Sequence, residues 1–274
     1  MSMTFDFSGQ NVFVVGGTSG INLGIAQGFA RWGARVAVAS RSQDKVDAAV
    51  EGLKELGSDA FGVSFDVRDF KAVEDGFAQV AETFGSPIDN LISGAAGNVP
   101  GRLSDLSPNA IKAMVDIDLM GTFHVMKACL PFLKRPGASV VNISAPQAYN
   151  AMSHQSAVCA AKAGVDMVTQ TMALEWGDEG IRVNSISPGP IDGTEGMARL
   201  APTEDIRNAV VKSVPIKRMG TPDDIAKAAG FLCSDAGGYV SGVVLPVDGG
   251  WGVSGASAMM MGAARFMDKM TKRT

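Results

Sequence analysis

Short apolar runs alternate with amphipathic helical periods along this chain, and this alternation limits the possible folds more strongly than any other feature. Residues 11–15 and 35–39 are mostly apolar at consecutive positions, which is typical of strands in a parallel sheet covered on both faces. Between these two runs, Ile21, Ile25 and Phe29 recur every four residues and form one apolar helix face. The alternation therefore predicts an α/β fold with a doubly wound parallel sheet and right-handed crossovers.

Runs of this kind predict strands at residues 11–15, 35–39, 60–65, 88–93, 139–144, 182–187 and 243–247. Hydrophobic residues make up 46% of the chain and the net charge is only -4, which excludes a disordered chain. The length of 274 residues is enough to bury a sizeable core. Because no proline- or serine-rich linker divides the chain, we predict one domain over residues 1–274.

The composition also excludes several classes of function. The isoelectric point is near 5.2 and no basic stripe is present, so we expect no nucleic-acid partner. No apolar run approaches the roughly 18 residues that a membrane-spanning helix needs, so we expect no membrane association. The three cysteines and two histidines lack disulfide or zinc spacing, which predicts a reducing compartment and no metal. Since the first ten residues also lack a signal-peptide pattern, we expect a cytoplasmic protein.

Two segments depart from the alternation. A long connection follows the sixth predicted strand, and we interpret residues 190–214 as a substrate loop that closes over the site and contains a short helix at 204–212. The C-terminal tail, residues 252–274, includes Met259, Met260 and Met261 in a row. Packing of this tail across a subunit boundary and a poorly ordered terminus both stay open.

A glycine-rich turn joins the first strand to the first helix and is the candidate phosphate site. Glycines allow a sharp turn and a close approach to an anion, and the following helix N-terminus presents unpaired N–H groups. This position after the first strand of a βαβ unit favours a dinucleotide. The residues predicted to contact it are Gly16, Thr18, Ser19, Gly20, Ile21 and Asn22.

The end of the second strand distinguishes between the two nicotinamide dinucleotides. An NAD enzyme usually carries an acidic residue there for the ribose hydroxyls. This chain has Ser40 and Arg41, with Lys45 one turn further on. A guanidinium attracts a 2′-phosphate, so we predict NADP(H). Asp66 and Val67, after the third strand, are candidate adenine contacts.

These features resemble the short-chain dehydrogenase/reductase superfamily over residues 8–251. The resemblance is carried by the glycine turn, Ala95-Ala96-Gly97, Lys162, Arg182-Val183-Asn184, Pro188-Gly189-Pro190-Ile191 and Asp248-Gly249-Gly250. It implies a Rossmann-type sheet of seven strands, a nicotinamide cofactor and, frequently, a homotetramer. It also implies cofactor contacts from Ala95, Ala96, Gly97, Lys162, Pro188, Gly189, Pro190 and Ile191.

The catalytic signature of most members of that superfamily is not present. Val158 stands four residues before Lys162, where most members have tyrosine, and Ala145 stands where they have serine. The usual asparagine of their Asn-x-x-Gly element is Asp118. An ordinary ketone reductase needs a phenol to protonate the carbonyl oxygen, and valine cannot do so. The common carbonyl-reductase interpretation is therefore disfavoured by chemistry.

One branch combines these departures, the 2,4-dienoyl-CoA reductases of peroxisomal type. The similar segments are Ala95-Ala96-Gly97-Asn98, Asp116-Ile117-Asp118, Gly121-Thr122-Phe123, residues 173–177 and Thr194-Glu195-Gly196. The resemblance implies that NADPH delivers a hydride to the far end of a conjugated dienoyl thioester. Protonation near the thioester then gives a 3-enoyl-CoA, so an acyl-CoA is the expected substrate.

Four residues are candidates for the chemistry. Lys162 is expected to bind the nicotinamide ribose and to supply positive potential, and Asp118 to order a water or act as an acid. Tyr149 is a candidate hydrogen-bond donor to the thioester oxygen, or a residue of the rim. Ser144 is expected to support the nicotinamide or its loop, and His154 to lie on the surface.

Two other functions stay open at this stage. The first is another NADP(H)-dependent short-chain reductase that acts on a carbonyl or enone, with Tyr149 as its acid. The second is a cofactor-binding protein without turnover, because a fold alone does not establish activity. The presence of Lys162 and Asn184 favours an enzyme.

Overall fold

A computed structural model describes residues 5–254 of the protein. Seven parallel strands form one sheet in the order β3-β2-β1-β4-β5-β6-β7, which confirms the predicted doubly wound α/β class. The strands are β1 Asn11–Val15, β2 Arg35–Ser40, β3 Ala60–Ser64, β4 Asn90–Ser93, β5 Ser139–Ile143, β6 Arg182–Pro188 and β7 Val244–Val247.

Helices cover both faces of this sheet. They are α1 Gly20–Arg31, α2 Gln43–Glu55, α3 Phe70–Phe84, α4 Pro108–Val115, α5 Gly121–Cys129, α6 Ser156–Glu175, α7 Glu195–Leu200, α8 Glu204–Ser213 and α9 Pro222–Cys233. One core cluster joins the sheet to α3, α5 and α6, and a second joins it to α1, α2 and α9. Helices α1 and α9 approach so closely that a Cβ atom on Gly24 would lie 2.2 Å from Pro222 Cβ.

The predicted strands differ from the observed ones only at their ends. Ile88 was predicted to begin the fourth strand, but it forms an isolated bridge to Leu133, and β4 begins at Asn90. Phe65 lies beyond β3, whereas β6 extends to Pro188. The helix predicted at 204–212 is present as α8, and α7 was missed because its six residues carry little periodic signal.

The strand order reverses between β1 and β4, and ligands of open α/β sheets bind at the carboxyl ends of strands beside such a reversal. The candidate residues after β1, β4, β5 and β6 therefore share this edge. Among the helices of residues 5–254, none combines the length and the apolar character needed to cross a lipid bilayer. Most of the tail at 252–274, including its three consecutive methionines, lies outside the described residues.

Candidate active site

The backbone of the glycine turn after β1 adopts a conformation and a close packing that leave little room for side chains at its glycine positions. Gly16 and Gly20 have φ angles of 78° and 54°, in the region that favours glycine. A Cβ atom on Gly16 would lie 3.0 Å from the backbone nitrogen of Ala95. The turn and the end of β4 therefore lie close together, and the backbone is open to a ligand at this edge.

The first helix begins without a side-chain cap. Ser19 occupies the N-cap position of α1 but its hydroxyl accepts no N–H, and the first turn contains no acidic residue. By contrast, Asp69 caps α3 and Thr203 caps α8 through their side chains. The uncapped N–H groups of α1 and the partial positive charge of its N-terminus fit a diphosphate.

Asn22 ties the glycine turn to the neighbouring strand. Its Nδ2 donates a hydrogen bond to the carbonyl of Gly94 at 2.7 Å, and the side chain is buried. A Cβ atom on Gly94 would lie 2.4 Å from this amide nitrogen, so the glycine provides the space that Asn22 occupies. Within the described chain Asn22 Oδ1 has no hydrogen-bond partner. The structure thus gives Asn22 a supporting contact beneath the predicted phosphate site.

Basic side chains follow β2, as the predicted 2′-phosphate site requires. Arg41 and Lys45 are exposed, and neither forms an ion pair with any residue between 5 and 254. Asp66 is engaged by Arg68, whose hydrogen bonds lower the pKa of the Asp66 carboxyl. The charge of Arg41 also lowers that pKa. Arg41 and Lys45 are therefore available to an anionic group after β2.

Lys162 and Asp118 form a buried pair at the carboxyl edge of the sheet. Their side chains are 7% and 1% exposed, and Lys162 Nζ lies 3.8 Å from Asp118 Oδ2. Nζ also donates a hydrogen bond to the carbonyl of Ile143 at 2.9 Å. The backbone N–H of Gly97 donates to Asp118 Oδ1 at 2.6 Å. Three predicted site residues from different segments thus meet at one point.

A local helix distortion presents Asp118 to the site. Residues Asp116–Met120 form a π-helical turn between α4 and α5, a distortion that often occurs at functional sites. Gly121 follows this turn, and a Cβ atom there would lie 2.7 Å from Val67 Cγ2, so the chain packs closely. The predicted adenine contact and the catalytic segment are therefore neighbours in space.

The Asp118 carboxyl is costly to ionise in its buried position, and one of its oxygens accepts no hydrogen bond from the described residues. Burial raises the pKa of the Asp118 carboxyl, and this effect outweighs the charge of Lys162 and the N–H of Gly97, which both lower the pKa. In the described residues Asp118 Oδ2 accepts no hydrogen bond. A buried acceptor beside an ammonium can hold a proton, a water or a polar group of a ligand.

The position that usually carries the phenol is apolar. Val158 is buried and belongs to a small cluster with Met114 and Ala157, against which Leu106 and Ile111 pack. Val158 can donate no proton to a carbonyl oxygen, which agrees with the chemical argument against an ordinary ketone reductase.

Neither of the two predicted hydroxyl residues forms a hydrogen bond with Lys162 or Asp118 in the described chain. Tyr149 is 47% exposed, and its Oη lies 3.2 Å from Ser187 Oγ rather than in contact with Lys162 or Asp118. Ser144 is buried beside the carboxyl of Asp166, and its Oγ makes no hydrogen bond of good geometry within residues 5–254. Both roles predicted for Tyr149, a donor to the thioester oxygen and a residue of the rim, stay predictions.

Two acidic residues near the site were given no role by the sequence analysis. Asp248 accepts hydrogen bonds from the N–H groups of Gly250 and Gly252, and a Cβ atom on Gly252 would contact both Asp248 and Tyr149. Asp166 lies one helical turn beyond Lys162 on α6. The Asp248-Gly249-Gly250 run and the four-residue spacing of Lys162 and Asp166 are both visible in the sequence, and the spacing also allowed Lys162 to be a surface partner of Asp166.

The segment after β6 forms two short helices over the cleft. Gly189 lies against Asp248, since a Cβ atom there would be 2.6 Å from Asp248 Cα. Arg207 of α8 forms a 2.7 Å ion pair with Asp192, and Trp251 Nε1 donates to Ser213 Oγ at 3.0 Å. These contacts fasten α8 at both ends. The closure of residues 190–214 over a substrate stays a prediction.

His154, the remaining sequence candidate, is exposed, and its Nδ1 lies 2.8 Å from Ser153 Oγ. Searching residues 5–254 finds no group of histidine, cysteine or acidic side chains that could hold a metal. The three cysteines are free thiols, and two of them, Cys129 and Cys233, are buried.

Comparison with known proteins gives consistent relatives. A family model described as enoyl-(acyl carrier protein) reductase matches residues 15–252. A protein of Arabidopsis thaliana named peroxisomal 2,4-dienoyl-CoA reductase, (3E)-enoyl-CoA-producing, is 43% identical over 254 residues, 88% of this chain and 84% of the relative. A Saccharomyces cerevisiae protein that is also named a peroxisomal 2,4-dienoyl-CoA reductase is 41% identical over 248 residues, 89% of this chain and 84% of the relative.

Solved structures agree with the sequence relatives in fold. The crystal structure of an actinorhodin polyketide ketoreductase with NADPH has a TM-score of 0.85 and 30% identity, and the match covers 91% of this chain and 99% of that chain. The expectation of a cytoplasmic location is wrong by these comparisons, because the relatives are named peroxisomal. Location depends on an address that receptors recognise, which the composition of a folded domain does not report. The glycine turn and the lysine of α6 lie within residues 15–252, and the chain belongs to the short-chain dehydrogenase/reductase family of oxidoreductases.

Proposed function

We propose that this protein uses NADPH to reduce a 2,4-dienoyl-CoA thioester to a 3-enoyl-CoA. The observation that carries the proposal is the buried pair of Lys162 and Asp118 beside Val158, a position that offers no hydroxyl. Ketone reduction needs an acid at the carbonyl oxygen, whereas dienoyl reduction needs positive potential at the thioester oxygen and a proton at carbon. The similarity to proteins named (3E)-enoyl-CoA-producing 2,4-dienoyl-CoA reductases supports the same reaction and product.

The residues around the glycine turn fit the dinucleotide. When bound, NADPH would supply the hydride, and its diphosphate would lie against the uncapped N-terminus of α1. Arg41 and Lys45 would hold the 2′-phosphate, because neither side chain forms an ion pair within the described chain. The other residues proposed at the cofactor are Gly16, Thr18, Ser19, Gly20, Ile21, Asn22, Ser40, Asp66, Val67, Ala95, Ala96, Gly97, Lys162, Pro188, Gly189, Pro190 and Ile191.

Lys162 would stabilise the charge that develops during reduction. Hydride addition at carbon 5 of the dienoyl group moves electron density through the conjugated system to the thioester oxygen. The ammonium of Lys162, held by the carbonyl of Ile143 in a buried setting, supplies positive potential there. Positioning by a rigid helix and strand avoids the reorganisation that water would need.

Asp118 would deliver or position the proton that completes the reaction. A proton added at carbon 2 consumes the electron pair of the dienolate and leaves the double bond between carbons 3 and 4. The free Oδ2 of Asp118 can order a water beside the Lys162 ammonium for this step. The raised pKa of the carboxyl, caused by burial, is in the direction that suits an acid.

The rim residues have supporting roles in this proposal. Tyr149, exposed and close to Ser187, would donate a hydrogen bond to the thioester from the edge of the cleft. Ser144 would support the nicotinamide from below, where its hydroxyl is buried. Residues 190–214 would close over the acyl chain, with Leu200 and Ile206 as exposed apolar side chains on α7 and α8.

We also propose a homotetramer. Helices α5 and α6 expose the large apolar side chains of Phe123, Met167 and Leu174, the last of which is 84% exposed. Apolar side chains of this size on neighbouring helices suit burial against another subunit. Sedimentation or light scattering would measure the mass, and a monomer would contradict this part of the proposal.

The test of the reaction is a direct assay with a purified 2,4-dienoyl-CoA. We expect loss of dienoyl absorbance together with NADPH oxidation, and chromatography should identify the product as a 3-enoyl-CoA. Mono-unsaturated 2-enoyl-CoA is the matched control, because it lacks the second double bond and should react much more slowly. Oxidation of NADPH by ketones but not by the dienoyl-CoA would instead favour a carbonyl reductase with Tyr149 as acid. NADPH binding without turnover on either substrate would favour a binding protein.

A further inference from the structure

Asn22 is a buried polar residue in a turn otherwise formed by glycines and small side chains. It lies in the first turn of α1 and is 7% exposed. Its Nδ2 donates a hydrogen bond to the carbonyl of Gly94 at 2.7 Å, and its Oδ1 accepts none within residues 5–254. In the described chain, the amide of Asn22 therefore binds only the backbone that follows β4.

The segment from Gly94 to Gly97, called here the β4 segment, is held at both ends. At its start, the N–H of Gly94 donates to the carbonyl of Val15 at 3.2 Å. At its end, the N–H of Gly97 donates to Asp118 Oδ1 at 2.6 Å, and a Cβ atom on Gly97 would lie 3.1 Å from Ile117 Cδ1. The β4 segment therefore lies between the glycine turn and the π-helical turn that carries Asp118.

Gly94 provides space for the Asn22 side chain and is not required for its backbone conformation. The φ angle of Gly94 lies outside the left-handed region that favours glycine. A Cβ atom on Gly94 would nevertheless lie 2.6 Å from Oδ1 and 2.8 Å from Cγ of Asn22. The backbone there would accept a side chain, so the bare glycine is explained by the amide that packs against it.

We propose that Asn22 is a positioning residue that fixes the β4 segment between the glycine turn and Asp118. Only the expected effect on rate rests on the proposed function. Two alanines separate Gly94 from Gly97, and each has only two soft torsion angles, so a shift of the Gly94 carbonyl is passed on to the Gly97 N–H. Asn22 thereby links the predicted phosphate site to the Asp118 carboxyl without a hydrogen bond to that carboxyl.

The first test exchanges the sizes of the two packed residues in the full chain. In Gly94→Ala the new Cβ atom displaces the Asn22 amide, so the free energy of unfolding should fall and NADPH binding should weaken. Asn22→Gly in the same chain removes the steric conflict, and the double variant should bind NADPH as Asn22→Gly alone does. Gly52→Ala on α2 is the matched control and should keep wild-type NADPH binding, because a Cβ atom there meets nothing within 4 Å outside its own helix.

The exchange also has results that contradict the proposal. Wild-type stability and NADPH affinity in Gly94→Ala would show that the Asn22 amide does not depend on this space. A loss in Gly94→Ala that Asn22→Gly leaves unchanged would assign the glycine to another neighbour. If Gly94→Ala does not fold, recovery of folding in the double variant supports the proposal, and an unfolded double variant contradicts it.

The second test observes the hydrogen bond between Gly97 and Asp118 by NMR, which needs no substrate. Carbon-13 in alanine carbonyls and nitrogen-15 in glycine select the amides of glycines that follow an alanine, and these are Gly97, Gly164, Gly230 and Gly237. The signal that is lost in Gly97→Ala identifies Gly97. A carboxylate acceptor moves an amide proton downfield, so the Gly97 signal should move upfield in Asp118→Asn.

Asn22→Leu then shows whether the β4 segment depends on the Asn22 amide. Leucine has a side chain of similar shape but no N–H group for the Gly94 carbonyl. The Gly97 signal should move upfield, less far than in Asp118→Asn, while the signals of the other selected glycines stay in place. Gln27→Ala, which removes a half-buried amide from the same helix, is the control and should leave the Gly97 signal unchanged. An unchanged Gly97 signal in Asn22→Leu, or in Asn22→Gly should the leucine variant not fold, would overturn the proposal.

Kinetics separate this inference from the proposed function. Asn22→Leu should weaken NADPH binding by about threefold to tenfold, the scale for loss of one hydrogen bond, and should lower kcat on a dienoyl-CoA with little change in its KM. An unchanged kcat in the folded variant would reduce Asn22 to a packing role and contradict positioning. If the wild-type protein does not reduce the dienoyl-CoA, the proposed function fails, while the size exchange and the Gly97 signal still decide the role of Asn22.

Discussion

The two ends of the candidate site are built in different ways. At the phosphate end, backbone provides the site: the left-handed glycines Gly16 and Gly20 and the uncapped start of α1. At the reaction end, buried side chains provide it, with Lys162 paired with Asp118 and Val158 in an apolar cluster. A backbone site is specified by local residue spacing, whereas a side-chain site depends on segments far apart in sequence. Substitutions at the phosphate end should therefore change cofactor binding, whereas substitutions at the reaction end should change turnover.

The largest effect should come from the reaction end. We expect Lys162→Ala to lower kcat by at least about a hundredfold, the scale for loss of one electrostatic catalyst. The variant also leaves Asp118 without its counter-charge, so thermal unfolding must be recorded beside the assay. Lys54→Ala, an exposed lysine on α2, is the matched control and should keep the wild-type rate. Near wild-type turnover in folded Lys162→Ala would remove the lysine from the mechanism.

The next largest effect should separate turnover from cofactor binding. Asp118→Ala should lower kcat by about tenfold or more, because proton delivery by a positioned group contributes on at least this scale. Its dissociation constant for NADPH, measured by calorimetry, should change much less. A loss of NADPH affinity as large as the loss of rate would place Asp118 in binding instead.

A smaller effect is expected at the phosphate end. Arg41→Ala should weaken NADPH binding by about tenfold, the scale of losing a charged hydrogen-bonding partner, and should leave NADH binding nearly unchanged. Arg31→Ala on α1 removes an exposed arginine that is paired with Asp223 and serves as control. Equal affinities of the wild-type protein for NADPH and NADH would contradict the predicted preference.

The effect of pH on stability tests the burial of Asp118. Burial raises the pKa of Asp118 in the folded state above its usual value, so the folded state binds the proton more tightly than the unfolded state. The free energy of unfolding should therefore fall as the pH rises from the usual pKa through the raised one. Asp118→Asn cannot ionise, so its unfolding free energy relative to wild type should increase over the same interval. Denaturant titrations at several pH values measure this difference, and a constant difference would argue against a buried carboxyl.

The smallest effect concerns the segment over the cleft. Residues 190–214 should become less sensitive to protease when NADP and an acyl-CoA are both present, since closure orders exposed backbone. Loss of the Asp192–Arg207 ion pair in Arg207→Ala should increase the cleavage without ligands. Sensitivity that ligands do not change would contradict a closing loop.

The sequence was sufficient to predict the sheet and the glycine turn after β1, whereas phosphate binding at that turn stays a prediction. Alternating apolar runs predicted every strand, with errors confined to ends such as Ile88, where a bridge replaces the ladder. The glycine turn was predictable because its conformation depends on residues next to one another. The hydrogen bond between Asp166 and Ser185, 19 residues away, could not be predicted because it exists only after α6 packs on β6. The contact of Tyr149 with Ser187 of β6 could not be predicted either, since the two residues lie in segments far apart in the sequence.

Isotope labelling tests the central claim most directly: reduction of a carbon–carbon double bond by a site with an ammonium and a buried carboxyl in place of a phenol. Dienoyl-CoA would be reduced with NADPH deuterated at the transferred position, and separately in deuterated water. The account predicts cofactor deuterium at carbon 5 and solvent deuterium at carbon 2 of a 3-enoyl-CoA, with both incorporations lost in Lys162→Ala. Deuterium from the cofactor on a carbonyl carbon, or full incorporation without Lys162, would contradict it.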